Sequence, residues 1–256
     1  MYYRSLSGEL KEKFGQKLYK IALDGGFTCP NRDGTIGTRG CSFCLGGSGN
    51  FAEEKCESVF EQIERAKRLV EKKNSSGKYI AYFQSYTGTY TPAERLNALF
   101  GEAIAHPDIA ALLVGTRQHC HPPEVIELIA RLNQIQTVWS ELGLQTIKDE
   151  SVRYIRRGYD NKEYVEAVNR LSQHGFHIIT HVILGLPGET VDDMLATVRW
   201  VKEVACEYSN KPLQFGIKLQ LLHIIRGTDL ETDFRNGLFD TLTMEEYVEV
   251  VRRAVR

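Results

Sequence analysis

The sequence of 256 residues contains no long hydrophobic run. A helix that crosses a membrane needs about 20 consecutive apolar residues, and no segment approaches that length. The residues after Met1 also lack the apolar core of a secretory signal. The sequence therefore predicts no membrane association and a protein of the reducing cytoplasm.

The chain also has almost no net charge, with 32 Lys and Arg against 33 Asp and Glu. Its overall charge therefore gives no indication of a nucleic-acid partner. Two local basic runs are exceptions: Arg4, Lys11, Lys13, Lys17 and Lys20, and then Arg65, Lys67, Arg68, Lys72, Lys73 and Lys78. Such runs are usually solvated helix faces, and a phosphate-binding stripe is the alternative.

Repeats, linkers and low-complexity segments are absent, which predicts a single domain over residues 1–256. Within it we expect residues 1–16 to form an N-terminal extension, a turn or short helix that lies across the sheet.

Cysteine is scarce, but three of the six cysteines occur together in CPNRDGTIGTRGCSFC, as Cys29, Cys41 and Cys44. Thiolates at this spacing in a glycine-rich loop are typical of a metal centre. Three ligands to a [4Fe-4S] cluster leave one iron open, where a substrate or cofactor can bind. Phe43 would place an aromatic ring beside that iron.

A structural zinc site is the alternative interpretation of the same loop. Its fourth ligand would be Cys56, or would come from His119 with Cys120. A disulfide is disfavoured because thiols stay reduced in the cytoplasm. Cys56, Cys120 and Cys206 form no C-x2-C pair, so a second cluster is not predicted.

Strand and helix patterns alternate along the chain. The predicted strands are residues 17–23, 79–83, 109–114, 137–142, 177–184 and 214–225. Four predicted helices span residues 54–73, 122–132, 190–207 and 244–255, the last capped by Thr243. Another helix begins with Thr91 as its cap, and two helical pieces begin at Asp149 and Asn161. Strict alternation predicts an α/β fold with a parallel sheet.

The unusual residues fall where each predicted strand ends, the position of the active site in α/β barrels. They are the cysteine loop, Gln84-Ser85-Tyr86, Thr116-Arg117, Glu141 with Gln145, Gly185-Leu186-Pro187-Gly188, and His223. Lys218 and Gln220 share one face of the last strand. A lysine inside a barrel is costly unless it meets an anion or substrate, so Lys218 is a substrate-site candidate; a side chain that reaches out to the rim is the alternative.

These motifs resemble those of radical SAM enzymes over nearly the whole chain. CPNRDGTIGTRGCSFC, YFQSYTGTY, GTRQHC, ELGLQTIKDE, HVILGLPGET and KLQLLHIIRGTDL occur in the order of the YtqA/YhcC-type family. That family is related to the elongator-type and coproporphyrinogen-dehydrogenase-type enzymes, and the resemblance extends to its MnmL-like, tRNA-modifying branch. It implies a partial (β/α)6 TIM barrel of the radical SAM type.

The resemblance also implies the cofactors. Cys29, Cys41 and Cys44 would each ligate one iron of a [4Fe-4S] cluster, and S-adenosylmethionine (SAM) would chelate the fourth. Reductive cleavage of SAM would give a 5′-deoxyadenosyl radical that abstracts a hydrogen atom from the substrate, with the electron supplied by a flavodoxin or ferredoxin.

By position, Gln145 and Arg157 resemble the pair that holds the ribose and methionine carboxylate of SAM, with Arg156 as the adjacent alternative. Glu141 would meet the ribose or the methionine ammonium. Gly185 and Pro187 resemble the turn that passes under adenine.

The chain departs from the common pattern at two places. Phe83-Gln84-Ser85 stands where relatives carry GGE, so the methionine ammonium would be met by backbone carbonyls or by Gln84 and Ser85. His181 stands where some relatives carry an acidic residue, and it is either a ribose contact or a core histidine.

The resemblance points to tRNA as the substrate, with conversion of the wobble uridine side chain from carboxymethylaminomethyl to aminomethyl. Tyr86 and Tyr90 are candidate platforms for bases of the anticodon loop. A radical SAM enzyme acting on a small metabolite and a zinc-stabilised binding module without catalysis are the alternatives. We expect a monomer, and since the family usually runs longer than this chain, a last helix cut short at Arg256.

Overall fold

The structure is a computed structural model that describes residues 3–45, 58–73, 77–208 and 215–256. Its strands are β1 (Tyr19–Leu23), β2 (Tyr79–Phe83), β3 (Ile109–Thr116), β4 (Thr137–Gln145), β5 (His177–Leu184) and β6 (Phe215–Leu221). Its helices are α1 (Leu6–Phe14), α2 (Val59–Val70), α3 (Ala93–Ala105), α4 (Pro123–Ile135), α5 (Asp149–Tyr154), α6 (Asn161–Gln173), α7 (Val191–Tyr208), α8 (Asp229–Arg235) and α9 (Met244–Ala254).

The six strands form one parallel sheet in the order β1-β2-β3-β4-β5-β6. The sheet is curled, because side chains from distant strands meet on its inner face. The Lys218 ammonium on β6 lies 3.3 Å from the Tyr82 hydroxyl on β2, whereas four strand spacings in a flat sheet measure about 19 Å. The predicted partial (β/α)6 barrel is therefore confirmed.

Two apolar layers cover the two faces of the sheet. The outer face packs against the surrounding helices in one large buried cluster that includes Phe83, Val114 and Phe100. On the inner face, Ile80, Leu113 and Trp139 pack against Leu10 and Phe14 of α1. Since Trp139 is near the start of β4, α1 closes the barrel at the N-terminal ends of its strands, as the predicted N-terminal extension across the sheet.

Several predicted boundaries are corrected. Pro92, not Thr91, is the N-cap of α3, and no side chain caps that helix, because it begins at Ala93, one residue too late for Thr91 to reach it. Strand β6 ends at Leu221 rather than at residue 225, since its partner β5 ends at Leu184. Helix α8 was not predicted; it is one short segment of seven residues capped by Thr228.

Other predicted elements stand as expected. Strands β2 and β5 have the predicted bounds, and Thr243 caps α9 through a capping box with Glu246. No helix among the described residues is long and apolar enough to cross a membrane. The predicted helix start at residues 54–57, the candidate zinc ligand Cys56 and the predicted strand residue Gln214 lie outside the described residues.

Candidate active site

A cavity of about 430 Å³ opens at the C-terminal ends of the strands. Its wall combines the cysteine loop with side chains from the inner face of the sheet. The residues that line the cavity include Cys29, Arg32, Cys41, Phe43, Cys44, Tyr82, Gln84, Tyr86, Arg117, Glu141, Gln145, Tyr159, His181, Lys218 and Gln220. All three cysteines of the predicted metal site therefore face one space.

The cysteine loop is held by hydrogen bonds within the loop and to the segment after α5. The Arg32 amide donates to the Cys29 carbonyl at 2.8 Å, and the Cys44 amide donates to the Cys41 carbonyl at 3.0 Å. Buried Asn31 donates from its side chain to the Arg156 carbonyl at 2.6 Å, and the same nitrogen lies 3.5 Å from the Cys41 sulfur. The loop thus has a defined shape that turns its thiols toward the cavity.

The spacing of the thiols separates the two metal interpretations. Only Glu64, His106 and Asp108, among the described residues, bring three potential ligand atoms within 4.8 Å of one another. The corners of a zinc–thiolate tetrahedron are about 3.8 Å apart, because a Zn–S bond is about 2.3 Å. The three cysteine sulfurs form no such group, so at least two of them lie more than 4.8 Å apart. Three separate thiols around a shared space suit the larger [4Fe-4S] cluster. Glu64 and Asp108 instead bind the ammonium of Lys67. The Lys67 nitrogen lies 2.7 Å from a Glu64 carboxylate oxygen and 2.5 Å from an Asp108 carboxylate oxygen.

The chemistry of the thiols agrees with a metal centre. Cys29, Cys41 and Cys44 are all free of disulfides. Burial raises the pKa of Cys41, an effect that Arg117 opposes from 3.9 Å. A buried thiol becomes a thiolate ligand when a cation compensates its charge. Neither His119 nor Cys120, the alternative zinc ligands, lines the cavity.

A polar cluster forms the floor of the cavity on three alternate strands. The Glu141 side chain is 3% exposed, and its Oε1 accepts from the Tyr82 hydroxyl at 2.7 Å and the Lys218 ammonium at 2.8 Å. His181 Nδ1 lies 3.5 Å from the same oxygen. Burial alone would raise the pKa of Glu141, but the nearby positive charges, Lys218 first among them, outweigh it and hold that pKa below its ordinary value. Glu141 is therefore an anion within the barrel.

Two further titratable groups border this cluster. Burial lowers the pKa of His181 to about 4 against the opposing effect of Glu141, so its imidazole is neutral at pH 7. The Lys20 ammonium lies 5.2 Å from the centre of the Tyr82 ring. Burial also lowers the pKa of Lys20, again opposed by Glu141.

Most of the predicted site residues line this cavity. Besides the three cysteines, the predicted site residues that line the cavity are Phe43, Gln84, Glu141, Gln145, His181, Lys218 and Gln220. Ser85 and Gly185 do not line it: Ser85 is buried, and Gly185, at φ +88°, packs near Leu242. The roles assigned to all these residues toward SAM or substrate stay predictions.

Arg157 has a place that the sequence did not suggest. Its side chain is 1% exposed and does not line the cavity. It donates to the carbonyls of Tyr159, Leu144 and Thr146 and to the side chain of Asn161, at 2.7 to 3.0 Å. The structure thus assigns Arg157 to the support of the turn after β4, and its predicted contact with the SAM carboxylate stays a prediction.

The alternative, Arg156, also points elsewhere. It donates to the Gly40 carbonyl at 3.0 Å and pairs with Asp229 at 2.5 Å, so that it ties the cysteine loop to α8. The arginines that do line the cavity are Arg32 and Arg117.

Sequence reasoning gave no role to several residues that the fold brings to the cavity. Arg117 stacks on the Tyr159 ring at 4.9 Å and donates to the Arg157 carbonyl. The strand alternation that placed Lys218 inside the barrel could also have placed Tyr82 there. No such signal existed for Tyr159, which follows an irregular turn through Arg156 and Gly158, both at positive φ.

Comparison with known families agrees with this arrangement. Residues 33–201 match the radical SAM superfamily, and the chain belongs to that superfamily. Its members use a [4Fe-4S] cluster and SAM, which the three separate thiols and the adjoining cavity can accommodate.

Individual relatives cover most of the chain. It is 39% identical to the uncharacterized protein YtqA of Bacillus subtilis over 97% of this chain and 75% of that one. It is 37% identical to the protein YhcC of Escherichia coli over 97% of this chain and 77% of that one. Among solved structures, the archaeal Methanocaldococcus infernus Elp3 matches with a TM-score of 0.63 and 18% identity, over 93% of this chain and 53% of that one. The Elp3 likeness shows a shared fold.

Proposed function

We propose that this protein cleaves SAM and converts the carboxymethylaminomethyl side chain of the tRNA wobble uridine to aminomethyl. The observation that carries the catalytic part is the shared cavity, which has three cysteine thiols on one wall and the Glu141–Lys218 pair on its floor. A radical enzyme needs this arrangement because the reactive group must meet the substrate in a space that excludes water.

When bound, the cluster and SAM supply a 5′-deoxyadenosyl radical that abstracts a hydrogen atom. The chain's own residues hold these groups and orient the substrate. Cys29, Cys41 and Cys44 would ligate the iron, and the Phe43 ring lies in the same wall. The floor residues would fix the part of the substrate that reacts. The reducing electron would come from a flavodoxin or ferredoxin.

The choice of tRNA is supported by relatives and by the rim of the cavity. The tRNA uridine(34) acetyltransferase of Methanocaldococcus jannaschii is 24% identical over 63% of this chain and 28% of that one. At the rim, the Arg32 guanidinium lies 5.9 Å from the centre of the Tyr86 ring. Aromatic and guanidinium planes are the surfaces on which proteins stack splayed bases of single-stranded RNA.

Phosphate contacts would come from the cysteine loop rather than from the N-terminal basic run. Arg39 in that loop is 70% exposed and pairs with Asp229 at 2.9 Å on the surface. Lys11, Lys13 and Lys17 lie on or just after α1, which closes the opposite end of the barrel. These lysines therefore lie away from the open end, because α1 packs against the beginnings of the strands.

A small-metabolite substrate is the second candidate. It is favoured by the net charge of −1 and by the position of the N-terminal lysines away from the cavity. An enzyme of this kind would share the cofactors and the cavity but would need no phosphate contacts.

Mass spectrometry of tRNA nucleosides from cells that lack the gene tests the proposed function. We expect carboxymethylaminomethyluridine to accumulate and aminomethyluridine and its products to disappear. The wild-type gene should restore the pattern, and a Cys41→Ala gene should not. Unchanged wobble nucleosides would refute the tRNA assignment and favour a metabolite.

A further inference from the structure

The charges on the floor of the cavity do not balance. Lys20 and Lys218 bring two ammonium groups to the space around Tyr82, at 5.2 and 5.4 Å from the centre of its ring. Glu141 is the carboxylate paired with Lys218, and His181 beside it is neutral. Lys20 forms no ion pair within the described parts of the chain. Because an unpaired charge that is partly buried is costly, the side of the floor that holds the two ammonium groups suits a carboxylate.

The hydrogen-bonding capacity of Glu141 is also only half used. Its Oε1 accepts from both Tyr82 and Lys218. Its Oε2 is buried and has no hydrogen-bond partner among the described residues. A carboxylate oxygen in this state needs a donor, and Glu141 is a residue of the cavity wall.

Lys218 offers the complementary group. An ammonium has three donors, and Lys218 uses one toward Glu141 and one toward Tyr82. Its side chain is 29% exposed and lines the cavity. The remaining donor and the acceptor at Glu141 Oε2 thus belong to two residues in direct contact.

We propose that this floor is a binding site for an aminocarboxylate group, an amine joined to a carboxylate through one carbon. The carboxylate accepts from Lys218, with the second ammonium of Lys20 on the Tyr82 ring nearby, and the amine donates to the Glu141 carboxylate. In the proposed function, on which this inference rests, that group is the carboxymethylamino part of the uridine side chain. The site would therefore recognise the part of the substrate that is removed and release the aminomethyl product.

A purely structural ion pair would be built differently. Such pairs are stable when both partners have their hydrogen bonds satisfied and no charge is left over. Here one oxygen of Glu141 is unsatisfied and one ammonium is in excess. Glu141 and Lys218 both occur at the wall of the same cavity, where a single ligand of this class can meet the carboxylate and the ammonium.

The test uses anticodon stem-loop RNAs that differ only in the wobble uridine side chain: the carboxymethylamino acid, its carboxamide, and the aminomethyl product. Binding is measured by fluorescence anisotropy with the cluster-loaded protein and without SAM. We expect the wild type to bind the acid about tenfold or more tightly than the carboxamide, since a charged hydrogen bond is lost in the amide. Lys218→Met should reduce this preference to about twofold or less, and the matched surface variant Lys162→Met should retain it.

A second variant keeps the test informative if Lys218→Met folds poorly. Glu141→Gln removes the competing anion, so the preference for acid over carboxamide should persist or increase, while the affinity for the aminomethyl RNA should fall severalfold. A structural role for the pair would instead lower the affinity for all three RNAs alike, and that result would overturn the inference.

The outcomes also separate this inference from the proposed function. If tRNA analysis supports the function but Lys218→Met keeps the wild-type preference, only the aminocarboxylate site is wrong. If the wild type itself does not distinguish acid from carboxamide, the site is likewise wrong. If the wobble nucleosides are unchanged in the deletion strain, the function fails at the level of the substrate, independently of the binding data.

Discussion

Replacing Arg157 by methionine tests whether this side chain supports the fold or binds SAM. Methionine keeps most of the apolar stem but removes every donor. Four acceptors would lose their partner: the carbonyls of Tyr159, Leu144 and Thr146 and the amide oxygen of Asn161. Because the side chain is 1% exposed, water has poor access to replace these bonds.

The expected loss of stability follows from those four bonds. Leaving a buried polar group unsatisfied costs about 1–3 kcal/mol, and some carbonyls will find other donors as the turn relaxes. We therefore expect the free energy of unfolding to fall by about 3–5 kcal/mol. For a chain of this size each kcal/mol lowers the melting temperature by about 2–4 °C, which gives a decrease of roughly 10 °C.

Urea and thermal unfolding of the anaerobically purified variant measure this effect, and Arg153→Met is the matched control. Arg153 is 70% exposed and pairs with Glu150 at 3.7 Å, so its loss should change stability by about 0.5 kcal/mol or less. SAM binding is measured in parallel, well below the melting temperature. A variant of wild-type stability whose SAM affinity falls tenfold would refute the structural role and confirm the carboxylate contact expected from sequence.

Three further predictions concern the metal, the pH response and the RNA surface. Anaerobic reconstitution should load about four irons per chain, and a variant with all three loop cysteines changed to alanine should load none; one zinc per chain would contradict the cluster. Burial lowers the pKa of His121 to about 4, so the unfolded chain binds more protons below pH 6.5, and this histidine alone should contribute about 2 kcal/mol to the loss of stability from pH 7 to 5. Urea titrations should show a smaller fall in His121→Gln, and an identical fall would exclude this histidine as the cause. Arg39→Glu should weaken anticodon stem-loop binding severalfold in anisotropy titrations and Lys11→Glu should not; equal effects would place the RNA elsewhere.

The sequence was sufficient for the fold because each of its signals is local. Strands β2 and β5 carry apolar runs with clear ends, and their predicted bounds are confirmed. The position of Lys218 and Gln220 on one face of β6 follows from strand alternation alone. Register confirms it, since these residues pair with His181 and Ile183, which line the same cavity.

The orientation of the Arg157 side chain could not be predicted from local sequence signals. Arg156 at φ +53° and Gly158 at φ +79° flank it, so the chain reverses twice within three residues. Spacing from Gln145 fixes how far along the chain Arg157 lies but not which way this turn sends its side chain. The carbonyls that it meets become available only once the end of β4 and the turn after it are folded.

The position of α1 shows the same limit at a larger scale. Its basic residues precede the cysteine loop closely in sequence. Leu10 and Phe14 instead bury against Ile80 and Trp139 at the other end of the barrel. Neighbouring segments of a βα chain lie at opposite ends whenever one of them precedes a strand and the other follows it.

The floor cluster links the open shape of the barrel to its proposed use. Tyr82, Glu141 and Lys218 come from β2, β4 and β6, which are alternate strands of the sheet. A closed eight-stranded barrel fills each interior layer with four side chains from alternate strands. The six strands described here supply three of them, so the layer lacks its fourth side chain, and Glu141 and Lys218 border the cavity at the cysteine loop. A ligand that enters from the cysteine side can complete the layer, and its polar groups must match those two partners. The incomplete barrel thus makes a buried ion pair accessible to a substrate, whereas a complete barrel would seal the same pair within its core.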